Sequence, residues 1–187
     1  MYEEIKKACD VLNEGGIILY PTDTIWGIGC DATNETVVKR VFQLKKREDS
    51  KAMIVLLDNA VKLPYYIKDV PEITWDLIEL SDKPLTIIYD DARNVAPNLI
   101  ADDGSLAIRI TKEKFSLELC KRFRKAIVST SANLSGQPSP RCFEEISDEI
   151  RQNVDYTVNY RQNENIRFSP SGIIKLSAGG QVKVIRE

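Results

Sequence analysis

The feature that most constrains the fold of this chain is a repeated alternation of short apolar runs with longer segments of helical periodicity. Eight apolar runs have the length of strands: Ile17–Tyr20, Met53–Leu57, Leu85–Tyr89, Leu106–Ile110, Ala126–Val128, Val154–Val158, Gly172–Leu176 and Val182–Ile185. The segments between most of them repeat apolar residues every three to four positions. Such alternation predicts an α/β sheet with helices packed against it.

Apolar faces and end signals mark the predicted helices. The first helix carries one apolar face and ends at Gly15-Gly16, and Asn34 is a good N-cap for the second. Three further helices are predicted over Pro71–Leu80, Lys114–Phe123 and near Phe143–Ile150. The faces expected inward are Ile5, Ala8, Cys9 and Leu12 in the first helix, Val37, Val38, Val41, Phe42 and Leu44 in the second, and Ile73, Leu77 and Leu80 in the third.

Length and composition are those of one compact enzyme-sized unit. The chain has 187 residues, 43% of them hydrophobic, which is enough to bury a core as a single domain over residues 1–187. It contains no apolar stretch near the roughly 20 residues that span a bilayer, and Met1-Tyr2-Glu3-Glu4 does not resemble a signal peptide. A soluble, cytoplasmic protein without membrane contact is predicted.

The spacing of the cysteines and the lack of histidine limit the metal sites and the catalytic bases that this chain can have. Cys9, Cys30, Cys120 and Cys142 form no C-x-x-C pair, so free buried thiols are predicted rather than a zinc site, and no metal ligands are assigned. The chain has no histidine, the commonest general base and metal ligand. Any reaction must therefore proceed without imidazole.

Residues Ser129–Pro138, S-T-S-A-N-L-S-G-Q-P, form a polar segment directly after the apolar pair Ile127 and Val128. Small residues let an anion approach the backbone closely, and consecutive N–H groups can form an anion-binding nest. At the C-terminal end of a strand in an open α/β sheet, such a segment is typical of a ligand site. Ser, Asn, Gly and Pro also form ordinary turns, so a plain loop is the alternative.

Two further segments favour a ligand site. The strand ending at Tyr20 breaks at Pro21 into the hydroxyl-rich turn P-T-D-T, followed by two glycines. Residues 45–51, K-K-R-E-D-S-K, close a helix and concentrate cations before the next strand, although the net charge of −2 disfavours wholesale binding of a nucleic-acid backbone. Lys39, Arg40 and Lys46 are interpreted as a solvated helix face.

The P-T-D-T turn, the K-x-R-x-x-x-K pattern and the S-T-S-A-N element together resemble the YrdC/Sua5 family, the threonylcarbamoyl-adenylate synthases of tRNA modification. The resemblance runs from Gly16 to Arg186. It implies a YrdC-like α/β fold, a twisted open mixed sheet with flanking helices around a concave basic cavity. It also implies that L-threonine, bicarbonate or CO2, and ATP yield threonylcarbamoyl-AMP and pyrophosphate, with Mg²⁺ on the nucleotide. The implied partners are tRNA-modifying proteins that take the product, and double-stranded RNA or tRNA is a possible contact.

The resemblance assigns roles to individual positions and no catalytic residue. The threonine-binding residues it implies are Thr24, Arg109, Ser129 and Ser171. The ATP-binding residues it implies are Lys45, Arg47, Lys51, Ser105, Ser131, Asn133, Ser139 and Arg186. The planar fork of arginine suits a carboxylate, which is consistent with Arg109. Each position also has an ordinary alternative: Thr24 in a turn, Arg109 as a surface charge, Arg186 at a frayed end.

Departures from the family pattern leave alternatives open. Glu48 replaces a common proline, Ala52-Met53 replaces Pro-Leu, Ala107 replaces glycine and Gly172 replaces threonine. YciO-like proteins share the fold but usually lack both the full S-T-S-A-N element and the second threonine of P-T-D-T, which this chain has. A double-stranded RNA-binding module without catalysis is the alternative from another class. A carbamoyl-transfer domain of hydrogenase maturation is a third relative, found in long chains with zinc-binding cysteine segments.

Overall fold

The computed structural model describes residues 1–46, 53–164 and 170–187. Its strands are β1 (Ile18–Tyr20), β2 (Gly27–Gly29), β3 (Ile54–Leu57), β4 (Leu85–Tyr89), β5 (Leu106–Ile110), β6 (Ile127–Ser131), β7 (Tyr156–Thr157), β8 (Gly172–Leu176) and β9 (Val182–Arg186). Its α-helices are α1 (Tyr2–Asn13), α2 (Glu35–Leu44), α3 (Leu63–Tyr66), α4 (Ile73–Glu79), α5 (Lys114–Phe123) and α6 (Asp148–Gln152).

The strands form one mixed sheet in the order β7-β1-β2-β6-β3-β5-β4-β8-β9. Three neighbouring pairs are parallel, namely β1 with β7, β3 with β5 and β4 with β8, and the other five are antiparallel. Because β7 and β9 each have one neighbour, the sheet is open at both edges. The predicted open mixed α/β sheet is confirmed.

Helices cover both faces of this sheet. Successive strand residues point to opposite faces, so Leu19 and Val55 enter one apolar cluster with α2, whereas Ile18 and Leu56 enter a second cluster. The second cluster contains the buried faces of α1 and α5. The prediction of flanking helices is therefore confirmed.

The helix boundaries follow the end signals in the sequence. The side chain of Asn34 accepts hydrogen bonds from the N–H groups of Thr36 and Val37, so it caps α2 as predicted. After α1, Gly15 has φ of +75°, a conformation that glycine adopts without strain. The buried residues of α1 are the four predicted from periodicity.

Several local predictions were wrong. Helix α4 buries a different face from the one predicted. Ile73 and Leu80 are exposed and Thr74 is buried. Ile78 packs against the core beside Leu77. The predicted helix near Phe143–Ile150 is a 3-10 turn at Phe143–Glu145 followed by the short helix α6. No strand was predicted at Gly27–Gly29, which forms β2 between β1 and β6.

The prediction of free buried thiols is confirmed for three cysteines and is wrong about the burial of Cys142. All four cysteines are free; Cys9, Cys30 and Cys120 are buried and Cys142 is partly exposed. Among the described residues, no helix is both long and apolar enough to span a membrane.

Candidate functional site

A cavity of about 220 Å³ opens where the ends of β2, β5, β6, β8 and β9 meet. It is lined by Thr22, Thr24, Ile25, Trp26, Gly27, Met53, Ile54, Arg109, Ser129, Thr130, Ser131, Ser139, Pro170, Ser171, Ile173 and Arg186. The described lining thus has seven hydroxyl side chains, two guanidinium groups and no carboxylate. A lining rich in donors and without a carboxylate of its own suits an anion or the carboxylate of a small ligand.

The turn after β1 forms one wall of the cavity. The Thr22 hydroxyl donates to the carbonyl oxygen of Ile25 at 2.7 Å and accepts the N–H of Thr24 at 3.1 Å. Side-chain bonds of this kind let threonine stabilise a tight turn. The hydroxyl of Thr24 lies 3.0 Å from that of Thr22 and is buried, so Thr24 is held in place at the cavity.

Arg109, in the middle of the sheet on β5, is the buried cation of the site. Arg109 is only 3% exposed. Its Nη2 lies 3.1 Å from Asp23 Oδ1 and 3.4 Å from Thr24 Oγ1. Burial raises the pKa of Asp23, and the nearby Arg109 opposes that shift. The Nε of Arg109 is buried without a hydrogen-bond partner among the described residues. An arginine placed in this way has donor capacity left for a ligand.

The end of β6 forms the opposite wall. Strand pairing places Ser131 beside Gly27 of β2 and Ser129 beside Ile54 of β3. A Cβ atom at Gly27 would lie 3.2 Å from Thr22 Cγ2 and 3.3 Å from Ser129 Oγ. Glycine at this position therefore lets the threonine turn and the serine strand approach each other closely.

Ser171 and Arg186 close the cavity from the β8–β9 edge. Arg186 donates from Nε and Nη2 to the carbonyl oxygen of Ser171 at 2.9 and 2.8 Å, and the Ser171 hydroxyl lies 2.8 Å from Thr86 Oγ1. Burial, together with the like charge of Arg109, lowers the pKa of Arg186. The positive charges of the two guanidinium groups therefore repel each other, and a bound anion would reduce this repulsion.

Seven predicted site residues line this single cavity: Thr24, Arg109, Ser129, Ser131, Ser139, Ser171 and Arg186. They come from segments far apart in the chain, and the successive pairing of β2, β6, β3, β5, β4 and β8 brings them together. Arg47 and Lys51, predicted to hold ATP phosphates, lie outside the described residues. Their assignment stays a prediction.

Lys45 and Asn133 lie behind the cavity wall rather than in it. The buried ammonium of Lys45 donates to the carbonyl oxygens of Ser131 and Asn133, the second at 2.6 Å. The Asn133 side chain donates to the carbonyl oxygens of Leu134 and Gln137 at 2.9 and 2.7 Å. Both side chains shape the S-T-S-A-N segment, and neither belongs to the described lining.

The structure does not bring Ser105 to the cavity. This residue precedes β5, four positions before Arg109, and at about 3.3 Å per strand residue that is about 13 Å away. Its N–H donates to Asp103 Oδ1 at 3.0 Å. Hydrogen bonds from Lys175 first, and then from Ser105, lower the pKa of Asp103 to about 2. Ser105 therefore stabilises a turn at the far end of β5, which was not expected from the S-L-A-I-R pattern.

Two polar residues of the P-T-D-T turn were missed in the sequence, and so was Thr130, which also lines the cavity. Thr22 lines the cavity and builds its turn, and Asp23 forms the ion pair with Arg109. Both stand in the P-T-D-T segment, which marked the region but not the role of each side chain. The partner of Asp23 is 86 positions away, a relation that local spacing cannot reveal.

Comparisons with known proteins identify relatives across almost the whole chain. The family model Sua5_yciO_yrdC, described as "Telomere recombination", matches residues 10–187. A threonylcarbamoyl-AMP synthase of Shigella flexneri is 36% identical over 147 residues, which cover 77% of this chain and 77% of that protein. The threonylcarbamoyl-AMP synthase of Escherichia coli strain K12 matches to the same extent.

Solved structures share the fold. A crystal structure of P. abyssi Sua5 complexed with L-threonine superposes with a TM-score of 0.81 at 25% identity over 92% of this chain, which spans 50% of the Sua5 chain. E. coli YciO superposes with a TM-score of 0.86 at 21% identity over 100% of this chain and 90% of its own. At that identity, the likeness to YciO concerns the fold alone.

Proposed function

This chain belongs to the Sua5/YciO/YrdC family, and on that premise we propose that it is an L-threonylcarbamoyladenylate synthase, a nucleotidyltransferase of tRNA modification. Relatives with that name match 77% of the chain at 36% identity. The observation that carries the proposal is the convergence of Thr24, Arg109, Ser129 and Ser171 on one cavity. These are the four side chains that the family resemblance assigned to threonine.

The reaction has two bond-forming steps. In the first, the nitrogen of the threonine amine attacks the carbon of CO2, which is supplied as bicarbonate; an N–C bond forms, the nitrogen loses a proton to solvent, and a carbamate results. In the second, a carbamate oxygen attacks the α-phosphorus of ATP. The new O–P bond forms as the bond to the bridging oxygen breaks, and pyrophosphate leaves with that electron pair. Positioning and neutralisation of charge are what such transfers need most.

The cavity has groups suited to the amino acid. In the proposal, Arg109 binds the threonine carboxylate, because two donors of its planar fork match two carboxylate oxygens. Thr24, Ser129 and Ser171 supply short hydroxyl groups around the same volume. No described lining residue is a histidine or a carboxylate. The proposed catalysis therefore relies on orientation rather than on an imidazole base.

The nucleotide is assigned to the same cavity and to its surroundings. A volume of about 220 Å³ lies below the roughly 300 Å³ at which pockets for drug-sized ligands begin, so ATP would extend beyond the cavity. Ser131, Ser139 and Arg186 are proposed to contact it from the lining, and Arg47 and Lys51 to hold its phosphates. We assign Lys45 and Asn133 to the support of the S-T-S-A-N segment, since their side-chain bonds go to backbone carbonyls there.

We propose that Mg²⁺ binds together with ATP. The described residues contain no group of three or more His, Cys, Asp or Glu side chains able to hold a metal ion. The triphosphate oxygens are therefore expected to supply its ligands, and the ion would neutralise phosphate charge. A cytoplasmic location and transfer of the product to tRNA-modifying proteins belong to the same proposal, as does any contact with RNA.

The test is a reconstituted reaction with ATP, Mg²⁺, bicarbonate and L-threonine. We expect pyrophosphate release to require both L-threonine and bicarbonate, and mass spectrometry to detect threonylcarbamoyl-AMP. ATP turnover that is indifferent to both co-substrates would rule the synthase out. A protein of the alternative class, which binds double-stranded RNA without catalysis, would show salt-sensitive RNA affinity without any dependence on threonine.

The proposed phosphate contacts have their own test. Replacing Arg47 or Lys51 by Ala should weaken ATP binding or slow turnover by about 1.5–3 kcal/mol, the range for hydrogen bonds to charged groups. Lys39→Ala, a substitution on the exposed face of α2, is the matched control and should change neither quantity. Unchanged ATP affinity and turnover in both Arg47→Ala and Lys51→Ala would place these cations on a solvated surface.

A further inference from the structure

We infer that Asp23 is a positioning residue that orients Arg109 for the carboxylate of the amino-acid substrate. The inference rests on the proposed function and adds a residue to the threonine site. Asp23 does not itself line the cavity, whereas its neighbours Thr22 and Thr24 both do. Its role is therefore exerted through Arg109.

The contact between the two side chains is a buried ion pair in which Asp23 Oδ1 has no hydrogen-bond partner among the described residues. The side chains of Arg109 and Asp23 are 4% and 10% exposed, and Arg109 Nη2 lies 3.1 Å from Asp23 Oδ1. A guanidinium at this depth needs a compensating charge, because an unpaired buried charge is strongly unfavourable. Asp23 supplies that charge from a residue already fixed in the threonine turn.

The geometry leaves room for a ligand on Arg109. Its contacts with Asp23 and Thr24 both use Nη2, so they fix one corner of the planar fork. The donors that these contacts do not use are available to a carboxylate. Rotation of the guanidinium would lengthen the ion pair with Asp23 and break the hydrogen bond to Thr24, so both contacts favour the observed orientation of the fork.

Asp23 reaches Arg109 from the side away from the substrate. It lines a second cavity of about 140 Å³, together with Leu85, Ile110 and Lys112, whereas Arg109 lines only the first cavity among those described. The ion pair therefore stands between the two cavities. A carboxylate in this place orients the arginine without competing for the position of the substrate carboxylate.

The charges around the cavity also support a positioning role for Asp23. Arg109 and Arg186 line one cavity, and Arg109 contributes to the lowered pKa of Arg186. Without Asp23, two like charges would face the cavity with no carboxylate in contact with either among the residues described. The pair reduces this repulsion and leaves Arg109 its directional donors.

The experiment is a double-mutant cycle in the full chain, with pyrophosphate release as the assay. Asp23→Asn, Arg109→Lys and the double variant are compared for kcat/KM with respect to L-threonine and for the KM of ATP. Asp31→Asn is the matched control, since Asp31 is a buried carboxylate paired with Lys125 at 2.7 Å and does not line the cavity. Thermal unfolding of every variant is recorded alongside.

We expect Asp23→Asn to lower kcat/KM for threonine by about 10- to 100-fold, through KM, with the KM of ATP within about twofold of the unaltered protein. In the Arg109→Lys background, the same substitution should change kcat/KM by no more than about twofold, because the oriented fork is already lost. Asp31→Asn should lower the unfolding temperature without moving either KM.

Equal losses toward threonine and ATP would overturn the inference, and so would a full effect of Asp23→Asn in the Arg109→Lys background. If Asp23→Asn does not fold, Asp23→Ser, which keeps a short polar side chain, takes its place in the cycle. An unaltered protein without threonine-dependent pyrophosphate release would contradict the proposed function itself. That failure is distinct from additive effects in an active enzyme, which would contradict only the role of Asp23.

Discussion

At the scale of single residues, the site depends on side chains that do not line its cavity. Lys45 is 1% exposed, and its ammonium holds two backbone carbonyls at the end of β6. The backbone of the same residue accepts the N–H of Ser135 at 2.8 Å. Lys45 thus fixes the strand end that presents Ser129 and Ser131 to the cavity. A sequence pattern that names a lysine cannot tell this role from that of a phosphate ligand.

Lys45→Met tests that assignment. The variant keeps an unbranched side chain that is one atom shorter and leaves two buried carbonyls without their donor, so the free energy of unfolding should fall by about 1–3 kcal/mol. Threonine affinity, measured by calorimetry without nucleotide, should fall as well. The control is Lys46→Met. The Lys46 side chain is 65% exposed, and this substitution should change the free energy of unfolding by no more than about 0.5 kcal/mol. Loss of ATP binding alone, with threonine affinity intact, would identify Lys45 as a phosphate ligand.

Arg109→Lys tests the proposed division of the site into two halves. The substitution keeps the charge but loses the planar match to a carboxylate, so it should raise the Kd for L-threonine by about 10- to 100-fold and leave ATP affinity within about twofold. Calorimetric titration of each ligand separately is the measurement. An Arg109→Lys protein that had lost ATP binding but bound threonine normally would show that the two halves are reversed.

At the scale of elements, the sequence predicted the strands that carry their own apolar signal and missed the one that does not. β4, β5 and β8 have the predicted bounds, as does α5. β2 consists of Gly27, Ile28 and Gly29, which have low strand propensity and resemble a turn. It is a strand because β1 and β6 pair with it on both sides. Tertiary pairing, which local patterns do not encode, decided this element.

Gly29→Ala tests how tightly β2 is packed. A Cβ atom at this position would lie 2.7 Å from Tyr20 Cε1 and 3.0 Å from the carbonyl oxygen of Val128. Tyr20 is fully buried, so relief requires movement in the core, and overpacking of this kind costs about 1–3 kcal/mol. Gly179→Ala is the control, since a Cβ atom there meets nothing within 4 Å. Urea unfolding should show a loss for the first variant and none for the second.

The contact of α1 with the end of β7 predicts a dependence of stability on pH. Glu4 accepts hydrogen bonds from Tyr156 Oη at 2.5 Å and from the N–H of Asn159 at 2.7 Å. Burial disfavours the carboxylate, but these bonds outweigh it, so the pKa of Glu4 lies below its ordinary value of 4.5. A lowered carboxylate pKa stabilises the fold above the unfolded-state value, and this contribution disappears as pH falls through the folded-state value.

Urea unfolding of the unaltered protein and of Glu4→Gln measures this contribution. At pH 7 the substitution should lower the free energy of unfolding by about 1 kcal/mol, and the difference should shrink as the pH falls below 4.5. Glu3→Gln, a neighbouring exposed position, is the control. A difference between Glu4→Gln and the unaltered protein that stayed constant down to pH 3 would contradict the linkage.

At the scale of the whole molecule, the order of strands in the sheet assembles the site. Neighbours in the sheet are distant in the chain: Ile18 pairs with Tyr156, and Thr86 pairs with Ile173. The sequence indicated which segments are polar and which strands they follow. It could not indicate that Ser105 faces away while Asp23 meets Arg109, because those relations depend on strand order and register.

Binding of threonine in the cavity should stabilise the whole fold. The residues that line the cavity come from strands on both sides of the middle of the sheet, β2 and β6 on one side and β8 and β9 on the other. L-Threonine at 100 times its Kd should add about 2.7 kcal/mol to the free energy of unfolding, as for any ligand that binds only the folded state. Urea titration with and without threonine gives this value. The same threonine concentration should stabilise the Arg109→Lys protein less, in proportion to its weaker binding. Equal stabilisation of both proteins would place threonine elsewhere.

The spread of the cavity lining from Thr22 to Arg186 also has a consequence during synthesis on the ribosome. The wall at the P-T-D-T turn emerges first, and the last guanidinium cannot take its place until β8 has left the exit tunnel and paired with β4, and β9 has paired with β8. A nascent chain therefore presents no complete cavity at any earlier length. A ligand of this cavity can stabilise only a chain in which the residues through position 186 have left the tunnel, and it cannot guide earlier stages of folding.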